Sequence, residues 1–220
     1  MKQAIPVLLT AFLVLTIPME ATAQFGPFTE RGFGFGVGLS EADNNTSFGA
    51  SAGYVFSPIV EAGLNISRTS GDNDINAVGI GPYAALFPVR QDEAFPVSIF
   101  LDGSYSFNSY SGDQVEEFES QGGDISGSTL SIGGGGFRTF KAGKSTDVIP
   151  SVGVSYTRDK TEINLGGETQ TETDGATSLG LSVTFLFKAP EATNISATPS
   201  ISVSDGDATF GVSAALIIPR

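Results

Sequence analysis

The sequence predicts an all-β fold, an antiparallel up-and-down transmembrane β-barrel of ten strands. Apolar residues alternate with Gly, Ser or Thr in ten segments, as in Gly32-Phe33-Gly34-Phe35-Gly36. Charged residues are concentrated between these segments. An alternation of period two places successive side chains on opposite faces of a strand. One face is therefore aromatic and aliphatic and the other small and uncharged, as expected of a strand that lies between lipid and a narrow barrel interior.

Residues 1–23 have the three parts of a secretory signal peptide. Lys2 supplies a positive charge, an apolar run follows at 5–17, and Ala21 and Ala23 frame a cleavage site. The apolar run is shorter than the roughly 20 residues that a transmembrane helix needs. We therefore expect a cleavable Sec-type signal peptide at 1–23 and an outer-membrane β-barrel domain at 24–220.

The alternating segments and the turn-forming residues between them define ten predicted strands. These are 32–39, 47–56, 59–68, 75–87, 97–108, 128–140, 147–158, 177–187, 195–203 and 208–218. Several exceed the roughly 9–11 residues that a tilted strand needs to cross a membrane. An alternative is eight strands that close at Phe187, followed by a terminal hairpin. Ten strands are preferred because residues 195–218 alternate as regularly as their neighbours.

The connections between the predicted strands fall into two sets that alternate along the chain. One set is 41–45, 69–74, 110–127, 159–175 and 205–207, and the other, shorter on average, is 57–58, 88–96, 141–146 and 188–194. The first set holds 16 of the 24 acidic residues, whereas only three of the 11 basic residues, Arg68, Arg158 and Lys160, lie in it or at the strand ends beside it. Because long loops of outer-membrane barrels face the outside, we expect acidic loops outside the cell and both chain termini in the periplasm.

The two longest connections, 110–127 and 159–175, are rich in Gly, Glu, Ser and Thr and contain no Pro. This composition predicts mobile loops. Phe118 and Ile163 are apolar residues within these polar stretches, which makes them candidate contacts for an extracellular ligand of unknown identity.

The small face of the strands favours a membrane barrel over a soluble one. A soluble secreted β-barrel would bury its apolar face and would carry Lys, Glu and Gln on a hydrated outer face. Here that second face carries residues such as Gly34, Ser51, Ser104 and Gly153. Small uncharged residues suit a crowded interior, so the soluble barrel is the less favoured interpretation.

The chain resembles the small bacterial outer-membrane β-barrel family, the opacity-type and OmpA-like transmembrane barrels. The resemblance covers most of the mature chain and depends on the leader, the loop alternation, turns such as Gly53-Tyr54-Val55-Phe56-Ser57-Pro58, and two strand patterns. The stretches 178–185 and 209–216 both match the polar-x-Gly-x-x-apolar-x-apolar form on which family barrels close, although the chain departs from it by ending Ile218-Pro219-Arg220. The resemblance implies outer-membrane lipids as surroundings and insertion by the barrel-assembly machinery.

Three charged residues form a candidate polar network in the lumen: Glu61, Asp102 and Arg138. Glu61 and Asp102 are in phase with the inward faces of their strands. A buried carboxylate is costly unless it is paired or hydrated, so the network is interpreted either as an interior salt-bridge plug, which is favoured, or as an ion path. A bulge within the glycine run 133–136 would shift the register and leaves the face of Arg138 open.

Composition excludes several functions. The net charge is −13, which disfavours nucleic-acid binding. The chain contains neither His nor Cys, which removes the usual general base, disulfides and thiolate metal sites. We therefore predict no catalytic, cofactor or metal residues and a protein that is not an enzyme. The favoured function is a structural or surface-interaction barrel; the alternative is a narrow porin-like channel, because many inward glycines leave free volume.

Overall fold

Ten antiparallel strands form a closed ring in the computed structural model, which describes residues 25–42, 45–71, 75–189 and 193–220. The ring strands are β1 (Gly32–Ala42), β2 (Asn45–Ser57), β3 (Val60–Ser70), β4 (Asn76–Val89), β5 (Ser98–Ser111), β6 (Gly123–Phe137), β8 (Thr146–Leu165), β9 (Glu168–Lys188), β10 (Asn194–Ser204) and β11 (Asp207–Pro219). A two-residue strand, β7 (Phe140–Lys141), pairs with β8 outside the ring. The predicted ten-strand barrel is confirmed. The predicted signal peptide, 1–23, lies outside the described residues and stays a prediction.

The ring closes through its first and last strands. β1 pairs with β11 from Gly32↔Pro219 to Glu41↔Phe210. β10 and β11 are therefore members of the ring, and the alternative of eight strands with a terminal hairpin is wrong. We call the end that holds both Gly32 and Pro219 the terminal rim and the opposite end the distal rim.

The outer surface of the ring is apolar. On β1, for example, Phe33, Phe35, Val37 and Leu39 point outward and are exposed, while the glycines between them point into the lumen. Among the described residues, 32 large hydrophobic side chains are exposed. A monomer in water rarely exposes so large an apolar surface, whereas a bilayer covers it. Aromatic pairs such as Phe33 and Tyr54, with ring centroids 4.7 Å apart, lie near the terminal rim.

The two connections predicted to be long loops are mostly regular structure. Residues 159–175 extend β8 and β9 into a hairpin that turns at Gly166 and Gly167, whose φ angles are +61° and +87°. Two successive residues with positive φ are what a type I′ hairpin turn requires, and glycine supplies them without strain. On β9 beyond the apolar band, residues 168–174 alternate Thr with acidic residues and Gln, so strand structure continues there without apolar residues.

The other connection contains a helix, α1 (Asp113–Ser120), and the first residues of β6. The prediction of a loop over 110–127 is therefore wrong, because Val115 and Phe118 are three residues apart and give α1 one buried face. Within the described residues, no helix is long and apolar enough to cross a membrane.

Candidate functional site in the barrel lumen

The chain enters the terminal end of the lumen before it forms the first strand. Residues 25–28, which we call the N-terminal plug, consist of Phe25 and a 3-10 helix, Gly26–Phe28, with Pro27 in its first turn. Proline suits this position because its fixed φ matches the helix and its missing N–H is not needed there. Phe25 is fully buried, so the plug lies inside the barrel.

Glu61 holds this plug in place. Its Oε2 accepts hydrogen bonds from the backbone N–H groups of Phe25 (2.7 Å) and Gly26 (2.6 Å). Its Oε1 accepts a hydrogen bond from the hydroxyl of Tyr83 at 2.9 Å. Glu61 is 0 % exposed, and a buried carboxylate is tolerated when donors surround it in this way. The N–H groups at the start of the 3-10 helix thereby gain the acceptor that they lack within the helix.

Two glycines of the inward face make room for the aromatic rings around Glu61. A Cβ atom at Gly34 would lie 2.1 Å from Cγ of Phe25, and a Cβ atom at Gly53 would lie 2.1 Å from the hydroxyl oxygen of Tyr83. Both positions therefore require glycine for close approach. The volume left by these two inward glycines is filled by aromatic side chains of the chain itself.

Buried apolar side chains close the lumen around the plug. They form one group, the terminal cluster, which consists of Phe25, Val55, Tyr83, Ala85, Phe87, Phe137, Ile149, Leu186, Ala215 and Ile217. Apart from Phe25, its members come from β2, β4, β6, β8, β9 and β11, and Phe28 and Phe100 pack against it. Because the cluster draws on six strands of the ring, it fills the terminal end of the lumen.

Further polar contacts tie the plug to the terminal rim. The side-chain amide of Asn194 donates to the carbonyl oxygen of Phe28 at 3.3 Å. Arg90 donates to the carbonyl oxygens of Pro58 at 2.6 Å and Gly26 at 3.5 Å. The plug thus contacts both the short turns of this rim and the inner face of the strands.

A cavity of about 220 Å³ occupies the lumen on the distal side of the plug. Pro27 and Phe28 line its terminal end, and Asp102 lines its wall. Hydroxyl groups of neighbouring strands pair across the wall, as between Ser151 and Ser182 at 2.6 Å. The wall of the cavity is therefore polar, but most of its polar groups are uncharged hydroxyls that bond to one another.

The structure separates the three residues of the predicted polar network. Glu61 binds the plug, and Asp102 lines the cavity. Arg138 follows the last residue of β6 at the terminal rim, is exposed, and places its guanidinium 5.0 Å from the centroid of the Phe140 ring. β6 pairs with both neighbours without a shift through the glycine run 133–136, so the bulge considered for Arg138 is not formed there.

Sequence reasoning missed the partners of Glu61. Phe25 and Pro27 lie between the predicted leader and the first strand, where no alternation draws attention to them. The sequence feature that could have indicated the plug is Phe25, an aromatic residue that is followed by Gly26 and Pro27 in a segment without strand alternation. Asp147, which is buried and pairs with Lys188 at 2.5 Å near the terminal rim, was likewise missed.

A second group of apolar side chains lies at the distal rim. This distal cluster consists of Ile75, Val115, Phe118, Ile125 and Ile163, with Tyr110 and Leu165 packed against it. Phe118 and Ile163 are 6 % and 5 % exposed. They are therefore not available as contacts for an extracellular ligand, because both are buried in the distal cluster, where α1 packs against β5 and β6.

The outward side chains of β8 after Tyr156 are those of Arg158 and Lys160, and both are charged. This part of the strand therefore extends past the apolar band. Here Thr129 donates a hydrogen bond to Asp159 at 2.5 Å. Burial raises the pKa of the Asp159 carboxyl, and the negative charge of Asp174, its partner on β9, also raises it. The carboxyl groups of Asp159 and Asp174 therefore lie close together on the inner face of the projecting hairpin.

A closed antiparallel ring with an apolar outer band and a lumen of small residues defines an integral outer-membrane β-barrel. The sequence profile of the autotransporter beta-domain family matches residues 20–205. The chain belongs to this family, and it lies in the outer membrane, surrounded by lipid, where the barrel-assembly machinery inserts such proteins. In barrels of this kind the rim with short turns faces the periplasm, so we expect the terminal rim on the periplasmic side and the distal rim on the outside.

Solved barrels resemble the chain at low sequence identity. The beta domain of the Bordetella autotransporter BrkA is 13% identical, with a TM-score of 0.45, over 86% of this chain and 99% of that one. The translocator domain of the autotransporter NalP from Neisseria meningitidis is 13% identical, with a TM-score of 0.47, over 99% and 96%. Neisserial surface protein A is 12% identical, with a TM-score of 0.37, over 86% and 97%. No curated protein matches the chain.

Proposed function

We propose that this protein is a closed outer-membrane barrel with a structural or surface-interaction role, and that it does not conduct solutes. The observation that carries the proposal is the N-terminal plug, which occupies the periplasmic end of the lumen and is bound by Glu61. The long acidic hairpin at the distal rim would then be the part of the barrel that meets the surroundings. We assign no catalytic role, because the chain has no His or Cys.

The energetics of the plug support a lumen that stays closed at rest. Burying a phenylalanine side chain such as Phe25 contributes roughly 1.5–3 kcal/mol. A hydrogen bond to a charged group contributes roughly 1.5–3 kcal/mol, and Glu61 accepts two of them from the backbone of the plug. Together these contributions greatly exceed thermal energy, so an empty periplasmic end would be rarely populated.

Conductance across a planar lipid bilayer tests this proposal. The purified protein is expected to give no steady conductance above that of the protein-free bilayer. Gly34→Ala, which places a methyl group 2.1 Å from the Phe25 ring, is expected to displace the plug and to produce stepwise openings. Gly103→Ala is the matched control, because its new methyl group would lie no closer than 3.5 Å to its neighbours.

Each result of this experiment has a distinct meaning. Stable openings in the unaltered protein would overturn the closed barrel and favour a narrow porin-like channel, for which the cavity of about 220 Å³ would be part of the path. If Gly34→Ala stays silent although proteolysis shows that its plug is displaced, the plug is not what closes the lumen. Openings in Gly103→Ala would mean that the conductance reflects general damage to the barrel.

A further inference from the structure

The hairpin of β8 and β9 leaves one long strand edge without a neighbouring strand. β8 pairs with β9 up to Leu165↔Glu168, and β6 covers the other side of β8 up to Gly123↔Leu165. β10 pairs with β9 only as far as Ser204↔Ser178. No described strand lies beside residues 168–177 on that side. We call these ten residues the free edge; at about 3.3 Å per residue they span roughly 30 Å.

Most of the backbone N–H and C=O groups that point to the open side of the free edge belong to threonines. The carbonyl oxygen of Thr177 accepts a hydrogen bond from the hydroxyl of Ser204 on β10, and the N–H of Gly175 donates to the side chain of Asp174 rather than to β8. Odd-numbered residues of β9 therefore direct their backbone groups away from β8. By strand alternation, the N–H and C=O groups of Thr169, Thr171 and Thr173 point to the open side.

The side chains of the free edge are sorted by charge. Glu168, Glu172 and Asp174 lie on the face that continues the lumen wall, while the threonines lie on the opposite face. A strand added beside β9 would place one set of its side chains directly next to the carboxylates. Opposite charges at neighbouring positions of a sheet stabilise the pairing, whereas like charges oppose it.

We propose that the free edge is a docking site for an extended basic segment of another protein, which pairs with β9 as an additional strand. Its backbone would bond to the open groups of Thr169, Thr171 and Thr173, and its Lys or Arg side chains, at every second position, would face the carboxylates. An exposed strand edge is a ready template for such pairing. A second copy of this chain is a poor occupant, because two acidic edges would meet and each chain has a net charge of −13.

This inference rests on the surface-interaction role proposed above, but the two fail separately. The closed lumen is tested by conductance, and the docking site by binding. A barrel that conducts ions while it binds a basic strand would overturn only the closed barrel, and a silent barrel that binds no basic strand would overturn only the docking site.

Fluorescence anisotropy with synthetic peptides tests the docking site on the full chain in lipid nanodiscs. The probe is a labelled nine-residue peptide in which Lys alternates with Thr or Val. One comparison peptide has the same Lys residues with Pro at the alternate positions, so that it keeps the charge but cannot pair; another replaces Lys by Glu. We expect binding of the first peptide alone. Equal binding of the Pro-containing peptide would show attraction by charge alone and would overturn the proposal.

Variants of the free edge separate backbone pairing from side-chain contact. Thr171→Pro removes an N–H on the open side and leaves the pairing with β8 intact, so affinity is expected to fall by about fivefold, the size of one lost hydrogen bond. Thr171→Ala is the matched control and should bind within about twofold of the unaltered protein. Replacing Glu172 and Asp174 by Gln and Asn should weaken binding by about threefold per site. Equal affinities of all variants would contradict the proposal.

Hydrogen exchange supplies a measurement that needs no variant. On addition of the Lys–Thr peptide, the amides of Thr169, Thr171 and Thr173 should exchange more slowly, while those of Gln170 and Glu172, already paired with β8, should change little. A peptide that binds without protecting the three threonine amides would place its site elsewhere on the barrel and would overturn the assignment.

Discussion

Glu61 lies on the lumen side of β3, near the terminal rim, where a charged side chain needs several donors to be tolerated. Two of its donors are backbone groups of the N-terminal plug, and the third is Tyr83 on β4. One carboxylate therefore joins three separate parts of the chain. The partner that sequence reasoning expected for it, Arg138, is instead exposed at the rim.

The first prediction at this scale concerns the removal of the Glu61 carboxylate. Glu61→Ala leaves three donors without their acceptor, each at a cost of about 1–3 kcal/mol. The plug should therefore leave the lumen, and chymotrypsin added from the periplasmic side should cleave after Phe25 or Phe28. Mass spectrometry of the digest measures this cleavage.

Tyr83→Phe serves as the graded comparison for this experiment, because it removes only one of the three hydrogen bonds. Its plug should be cleaved more slowly than that of Glu61→Ala and faster than that of the unaltered protein. Equal resistance of all three proteins would mean that Glu61 does not hold the plug.

At the residue scale, period two was enough to place Glu61 and Asp102 on the inward phase of their strands. It gave no information about partners, because the segment that binds Glu61 forms no strand and lies 35 residues away in sequence at Gly26. The inward glycines of the sequence predict free volume, yet Gly34 and Gly53 accommodate Phe25 and Tyr83. A glycine pattern shows where space is needed but not what fills it.

Helix α1 and the projecting hairpin are the elements that differ most from the sequence-based expectation. Both lie outside the apolar band, where lipid no longer imposes an alternation of apolar and small residues. In the hairpin, strand structure continues through Thr and acidic residues, which a search for apolar alternation does not detect. In α1, eight residues carry a single pair of buried side chains, Val115 and Phe118, which is too short a pattern to distinguish from a loop.

The second prediction concerns the anchoring of α1. Phe118→Ala removes a buried aromatic ring from the distal cluster, and such a change typically costs about 3–5 kcal/mol. We expect α1 and the adjoining start of β6 to open, while the rest of the ring keeps its protection. Hydrogen exchange followed by mass spectrometry measures both regions in one experiment.

Glu117→Ala is the matched control for Phe118→Ala, because Glu117 is an exposed neighbour on the same helix. Its exchange pattern should equal that of the unaltered protein. Loss of protection throughout the ring in Phe118→Ala would mean that the distal cluster is part of the barrel's own core rather than an attachment of α1.

The whole molecule combines a closed ring with a surface that only lipid or detergent can cover. In the ring, each strand finds a partner on both sides, so that backbone groups within the membrane are satisfied between strands. The number of strands and the direction of the apolar face followed from the sequence, because both depend on local alternation. The closure of the lumen did not, because it depends on contacts between residues from six strands and the plug.

The third prediction concerns the resistance of this ring to detergent. Protein from the outer-membrane fraction, loaded in SDS without heating, should migrate at a different position from the boiled sample, because the closed ring unfolds only on heating. Glu61→Ala should keep this shift, since it releases the plug but leaves the strand pairs in place. A soluble protein without any shift would contradict the membrane barrel.

The seating of the plug also depends on correct strand register. Glu61, Gly34 and Phe87 come from three different strands, and all three meet residues 25–28 only if those strands are aligned as found. A slip of one residue turns the side chains of a strand to the opposite face, which would direct Glu61 into lipid and remove the space for Phe25. The N-terminal plug can therefore bind only in a barrel whose strands are in the correct register, so the free energy of its binding stabilises that register over any slipped alternative.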